Sequence, residues 1–171
     1  MFNAGWSVAV LDTVRNTWRT QAFIHGDLKP DNCLVLPHDE EPGSCIRFID
    51  WELADFGDPA WDLASLLQGF LTPTIIQAGA IDAHLSFVYP IKHTISVMLN
   101  AYLEASHTAA PDQPAVRVRA IQFTAARMIQ TVYEMLFNSE ALTPESLLLL
   151  QAAQEIYNNA HWVDSVVGTT L

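Results

Sequence analysis

The chain has 171 residues, 50% of them hydrophobic, and is therefore long enough to bury a core as one domain spanning residues 1–171. Its formal net charge of −11 argues against partners that are nucleic acids or anionic membranes. The chain has no apolar run of ~18 residues and no basic, then apolar, amino-terminal pattern, so we expect no membrane span, no signal peptide and a cytoplasmic location.

Apolar residues recur at helical spacing at the start of the chain. The pattern predicts a helix over residues 4–21, with Trp6 and Trp18 as core aromatics rather than ligand-stacking groups. Two short apolar runs, ending at Ile24 and Ile49, are typical of buried strands that deliver polar side chains to the rim of a pocket. Between them we predict a hairpin with strands at residues 33–36 and 45–49, joined by turn-forming residues.

The rest of the chain has the apolar period of helices. Asp58 and Pro59 predict the cap and first turn of a helix over residues 61–70. Further helices are predicted over residues 83–105, 115–137 and 144–163, with Pro90 kinking or splitting the first and Thr143 starting the last. The predicted fold class is therefore α+β and mostly α-helical.

Polar residues follow both apolar runs. Asp27, Asn32 and Asp50 supply oxygen atoms of the kind that Mg²⁺ prefers, and Lys29 supplies a cation. The predicted hairpin brings Asn32 and Asp50 to the same end, because antiparallel strands place entry and exit together. Phosphoryl transfer depends mainly on positioning and on charge neutralisation, and these four side chains could provide both.

Two ordered motifs carry a resemblance to a known family. They are His25-Gly26-Asp27-Leu28-Lys29-Pro30-Asp31-Asn32, and Asp50-Trp51-Glu52 followed by Gly57-Asp58-Pro59-Ala60-Trp61-Asp62-Leu63-Ala64. The first resembles the catalytic loop of the protein-kinase-like superfamily, and Gly26 in place of the usual Arg indicates the aminoglycoside phosphotransferase and choline kinase branch. The second resembles the metal-binding segment of the same branch. The resemblance implies a kinase-like C-terminal lobe with a catalytic-loop β-hairpin.

The resemblance also implies roles for single residues. Asp27 is then the catalytic base, and Asn32 and Asp50 bind Mg²⁺ together with ATP or GTP. Lys29 either contacts the transferring phosphate or merely offsets nearby acids. His25 braces the loop by packing and hydrogen bonding, and Asp62 is a buried anchor that accepts backbone N–H groups from the turn at residues 25–27.

Only the second half of the family's pattern is present in this sequence, without the N-terminal strand-rich lobe. We therefore carry two hypotheses. The first is a phosphotransferase that moves a nucleotide γ-phosphate to a hydroxyl of a small molecule or peptide, completed by an N-lobe from a separate protein or by a second copy in a homodimer. The alternative is a truncated, catalytically silent lobe that acts as a binding or scaffold partner. Glu104 and Glu134 either meet a cationic acceptor or form plain helix surface.

Overall fold

The computed structural model describes residues 4–37, 44–82, 84–139 and 141–162. The fold is α+β and mostly helical, as predicted. The helices are α1 (Ala4–Thr17), α2 (Pro59–Ala78), α3 (Lys92–Ala105), α4 (Gln113–Ser139) and α5 (Pro144–Asn158). The strands are β1 (Ala22–Ile24), β2 (Cys33–Pro37), β3 (Ser44–Phe48) and β4 (Asp55–Gly57).

The long helix α4 lies at the centre of the core. It packs against α1, α2 and α5, and its apolar side chains interleave with theirs. The largest fully buried side chains include Leu67, Leu71, Phe123, Met128, Leu149 and Ile156. Helix α2 also contacts β1 and the 3-10 turn Pro30–Asn32, so the core supports the segment that carries the candidate catalytic residues.

Two small antiparallel sheets border that segment. In one sheet β1 pairs with β4, with Ala22 opposite Gly57. In the other β2 pairs with β3, with Cys33 opposite Phe48, which confirms the predicted hairpin. The turn expected between β2 and β3 lies outside the described residues. The pairing brings the residues after β3 back to the residues before β2, where Asn32 and Asp50 lie.

The burial expected for the two apolar runs is wrong for most of their side chains. Ile24 is buried, but Phe23, Phe48 and Ile49 are 59%, 44% and 40% exposed. The physical reason is that each sheet has only two strands, and β2 and β3 pack mainly on each other rather than on the helices, so the helical core leaves most of their side chains uncovered. The sequence shows the apolar character of these runs but not that they lie at the edge of the helical core.

The helix starts follow the predicted signals, but α2 extends through Pro73 to Ala78, eight residues beyond its predicted end. α1 ends at Thr17, and Trp18 beyond it packs edge-on against Trp61 with ring centroids 5.8 Å apart. Pro90 lies in the 3-10 helix Ser86–Ile91, so it separates that turn from α3 as expected. Asp58 caps α2 through a bond from the Ala60 N–H (3.0 Å), and Thr143 caps α5. Within the described ranges, none of the helices is both long and apolar enough to cross a membrane.

Candidate active site

The loop before Asp27 is held by the first turn of α2. The Asp62 carboxylate accepts two backbone hydrogen bonds, from His25 N at 2.7 Å and from Gly26 N at 2.9 Å. The indole Nε1 of Trp61 donates to the Gly26 carbonyl oxygen at 3.0 Å. Two of the expected backbone donors therefore meet Asp62, although this side chain is half-buried rather than fully buried as predicted. Trp61 and Asp62, adjacent in the first turn of α2, thus bind both the N–H groups and a carbonyl group of the loop.

Gly26 has a conformation that other residues rarely adopt. Its φ is +83°, in the left-handed region, and a Cβ there would collide with the carbonyl oxygen of Leu53. Leu53 ends the 3-10 turn Trp51–Leu53, which follows Asp50 directly. The glycine therefore lets the loop carrying Asp27 lie against the segment carrying Asp50.

His25 makes contacts that brace this arrangement. It is 2% exposed, and its Nε2 lies 2.8 Å from the carbonyl oxygen of Ile49. A carbonyl oxygen can only accept, so Nε2 carries the proton, and Nδ1 accepts a longer bond (3.4 Å) from the Asp27 N–H. The ring also packs on Trp51, with centroids 4.7 Å apart. His25 thereby links the residue before Asp50 to Asp27.

The Asp27 carboxylate lies between two cations. Lys29 Nζ is 2.6 Å from Oδ2, and Arg127 Nη2 is 2.8 Å from Oδ1. Partial burial by itself would raise the pKa of Asp27, but hydrogen bonds and Coulomb attraction from Lys29 and Arg127 outweigh it and lower that pKa. The hydrogen bond to Asp27 likewise raises the pKa of Lys29. Asp27 is therefore ionised at neutral pH.

Arg127 is the site residue that the sequence analysis missed. Its side chain is 5% exposed, donates to Gln130 Oε1 at 2.8 Å and lies over the Trp61 ring, 5.2 Å from the centroid. A signal was present on α4: Arg127, Thr131 and Glu134 are spaced four and three residues apart, which places them on one face of the helix. These three polar residues form a stripe along one face of α4.

Asn32 and Asp50 lie at adjoining strand ends. Asn32 is 5% exposed, its Nδ2 donates to the Asp27 carbonyl oxygen (2.9 Å), and its backbone oxygen accepts from Ile49 N (3.0 Å). Asp50 is exposed and has the left-handed φ of +67°. Aspartate tolerates this region better than most residues, at a cost of about 1–3 kcal/mol.

Asn32 and Asp50 each carry a side-chain oxygen of the kind that Mg²⁺ binds in proteins. Mg²⁺ typically takes one or two protein oxygen ligands and completes its shell with water and substrate phosphates. The Asn32 bond through Nδ2 sets the amide so that its oxygen is the atom suited to a metal. Among the described residues, no group of three or more His, Cys, Asp or Glu side chains is placed to hold a metal ion.

A cavity of about 440 Å³ opens beside Asp27. Its lining residues are Asp27, Lys29, Pro30, Asp31, Gln68, Gly69, Thr72, Pro73, Arg127, Thr131 and Glu134. Gly69 permits the close approach of α2 to the loop, because a Cβ there would overlap the Pro30 ring. Of the two acids considered for acceptor contacts, Glu134 lines this cavity, and Glu104 is exposed on α3 and is not among its lining residues. The cavity is the available space for a substrate next to Asp27.

Comparison with known proteins identifies the family. Residues 3–91, more than half of the chain, match the sequence model of the phosphotransferase enzyme family. No curated protein and no solved structure matches the chain. The matched range includes His25, Asp27, Asn32, Asp50 and Asp62, whereas Arg127 lies outside it. The chain belongs to the phosphotransferase enzyme family.

Proposed function

We propose that this chain carries the catalytic loop of an enzyme that transfers the γ-phosphate of ATP or GTP to a hydroxyl group of a small molecule. One observation carries the proposal: an ionised Asp27 carboxylate, on a loop anchored by Asp62, lines a 440 Å³ polar cavity. A carboxylate in that position can accept a hydrogen bond from an acceptor hydroxyl in the cavity and orient its oxygen.

The proposed reaction moves one proton and one phosphoryl group. The hydroxyl oxygen of the acceptor forms a bond to the γ-phosphorus as the bond from that phosphorus to the β–γ bridging oxygen breaks, which releases a nucleoside diphosphate. The hydroxyl proton passes to the Asp27 carboxylate. Because the pKa of Asp27 is lowered, it is a weak base, so its main contribution is orientation, which suffices for a loose transition state.

Lys29 is placed to change partners during this reaction. Its side chain is 41% exposed and pairs with Asp27, so an incoming phosphate can reach its ammonium group. Arg127, at 5% exposed, stays on the other carboxylate oxygen. We infer that Lys29 contacts the transferring phosphate while Arg127 keeps Asp27 in place. Asn32 and Asp50 would hold Mg²⁺, which supplies neutralisation of phosphate charge when bound.

The cavity residues favour a small acceptor rich in hydrogen-bonding groups. Asp31 and Glu134 add carboxylates, and Thr72 and Thr131 add hydroxyl groups. Carboxylates at the walls would attract an acceptor that carries a positive charge. The class of acceptor we propose is therefore a small hydroxylated molecule, and a cationic one is favoured over an anionic one.

A second part of the proposal concerns the exposed apolar face formed by Phe23, Trp51, Leu53 and Phe56. These side chains are 59%, 48%, 58% and 68% exposed, and Phe23 stacks on Trp51 with ring centroids 6.3 Å apart. Contiguous apolar surface of this kind usually marks an interaction site. We propose that a strand-rich lobe, in the same or a separate polypeptide, covers this apolar face and holds the nucleotide against Asp50.

The test measures Mg-nucleotide binding and phosphotransfer to a panel of small hydroxylated amines and sugars. Parent protein should transfer phosphate once the covering lobe is supplied, and Asp27→Asn should bind nucleotide but turn over at least ~100-fold more slowly. Asp12→Asn removes an exposed carboxylate on α1 and serves as the matched control. Absence of nucleotide binding under all conditions would favour the alternative of a silent binding partner. If the protein instead forms a homodimer through the apolar face, a second copy of the chain covers that face in place of the strand-rich lobe.

A further inference from the structure

A second cavity, of about 310 Å³, lies between the end of α1 and the first turns of α4. We call it the α1–α4 cavity. Its lining residues are Thr17, Arg19, Pro114, Ala115, Val118, Arg119, Gln122 and His161. It shares none of them with the cavity at Asp27, and none of them is a carboxylate. The lining therefore contains two guanidinium groups and no acid, although the chain as a whole has a net charge of −11.

The buried arginine in this cavity has unused hydrogen-bonding capacity. Arg119 is 8% exposed, and its Nη2 forms an ion pair with Asp58 Oδ1 at 3.5 Å. Within the described ranges its Nε has no hydrogen-bond partner, but this atom is enclosed by protein, so only the terminal N–H groups of Arg119 could meet a ligand in the cavity. A guanidinium has five N–H donors, and buried donors are normally satisfied. The Nε atoms of Arg117 and Arg127 also have no partner in the described ranges, but the terminal nitrogens of Arg127 make two bonds of 2.8 Å, whereas those of Arg119 make only the longer pair with Asp58.

The second arginine is tied to the same carboxylate. The backbone N–H of Arg19 donates to Asp58 Oδ2 at 2.9 Å, so Asp58 holds Arg19 and Arg119 at one wall. The Arg19 guanidinium is exposed and pairs with no other side chain in the part of the chain that the structure describes. The Asp58 carboxylate balances the charge of the Arg119 guanidinium, and the charge of the Arg19 guanidinium stays unbalanced. Asp112 lines the adjoining cavity, which shares Arg19, Ala115 and Arg119 with this one.

The other residues that line the cavity indicate which further chemical groups a ligand would carry. Pro114 and Ala115 belong to the first turn of α4, whose positive dipole end favours a negative group. Together with Val118 they form an apolar surface beside the two arginines. A volume of 310 Å³ is at the small end of ligand pockets.

We propose that the α1–α4 cavity binds a small organic anion that combines an apolar body with one acidic head group. The head group, a carboxylate or a phosphate monoester, pairs with Arg19 and with terminal N–H groups of Arg119, while the body packs on Val118. This site is separate from the reaction at Asp27.

The test titrates the full chain with benzoate and phenyl phosphate, and with inorganic phosphate and uncharged benzamide for comparison, by calorimetry. Either organic anion should bind more tightly than inorganic phosphate, and benzamide should not bind. Arg19→Gln should weaken binding about tenfold or more, because it removes a charge-assisted contact. Arg15→Gln removes an exposed charge from the last turn of α1, outside the cavity, and should leave binding unchanged.

A second variant keeps the test independent of folding. Ala115→Glu places a carboxylate in the first turn of α4, where it suits the helix dipole, so the protein should stay folded and lose anion binding. The proposal is overturned if neither organic anion binds, or if Arg19→Gln binds like the parent. It is also overturned if Lys29→Gln abolishes binding, since the anion would then occupy the candidate active site. None of these outcomes depends on phosphotransfer activity.

Discussion

Replacing Arg127 with methionine should destabilise the protein and raise the pKa of Asp27. Methionine keeps the unbranched apolar stem over Trp61 but loses the 2.8 Å bond to Asp27 and the cation above the ring. The lost charge-assisted bond is worth ~1.5–3 kcal/mol and the cation–π contact ~0.5–1 kcal/mol. Lys29 still pairs with Asp27, whose side chain is 20% exposed, so the expected loss stays near the lower end, at about 2–3 kcal/mol. At ~2–4 °C per kcal/mol for a chain of this size, Tm should fall by about 4–12 °C.

The assay combines thermal unfolding with an NMR titration of the Asp27 carboxyl carbon. In Arg127→Met the pKa of Asp27 should rise, because one of its two cations is gone. Arg117→Met is the matched control: Arg117 lies on the same helix, is half-buried and makes a 3.4 Å bond to Gln113, so its Tm should change less. Equal Tm losses in the two variants, with an unchanged Asp27 titration, would refute the proposed stabilisation of the Asp27 carboxylate by Arg127.

Further variants test the remaining assignments. Asp62→Ala strands two backbone N–H groups at ~1–3 kcal/mol each, so Tm should drop clearly, with a smaller drop for Asp62→Asn; a parent-like melt of Asp62→Ala would remove the anchor role. In the completed assembly, Asp27→Asn should retain Mg-nucleotide binding while turnover falls, whereas Asp50→Ala should lose both; wild-type turnover by Asp27→Asn would exclude it as the base. Gly26→Ala should destabilise the loop through its positive φ and the clash with Leu53, which amide hydrogen exchange would report as lost protection. The pKa of Asp27 is lowered on folding, so ionised Asp27 stabilises the folded protein above its unfolded pKa, and this stabilisation is lost as the pH falls through the folded pKa. Asp27→Asn should therefore reduce the fall of Tm at acid pH, and an unaltered fall would contradict this.

Local sequence determined the elements and the order of the motifs. The helix caps at Asp58 and Thr143, the break at Pro90 and the β2–β3 hairpin depend on neighbouring residues, and all were predictable from spacing and turn chemistry. The contact of Asp62 with the loop was also expected, because a carboxylate in an apolar helix start requires nearby donors. The family could be identified from the two motifs because they occur in order at short separation.

The tertiary structure alone decided which distant side chains meet. Arg127 reaches Asp27 across 100 residues, and Arg119 reaches Asp58 through the packing of α4 on the start of α2. Such pairs depend on how each helix is rotated about its axis, and the apolar period sets this only to within a face about 100° wide. The exposure of Phe23 likewise depends on which side of a two-stranded sheet the helices cover, a choice that alternation within three residues cannot specify.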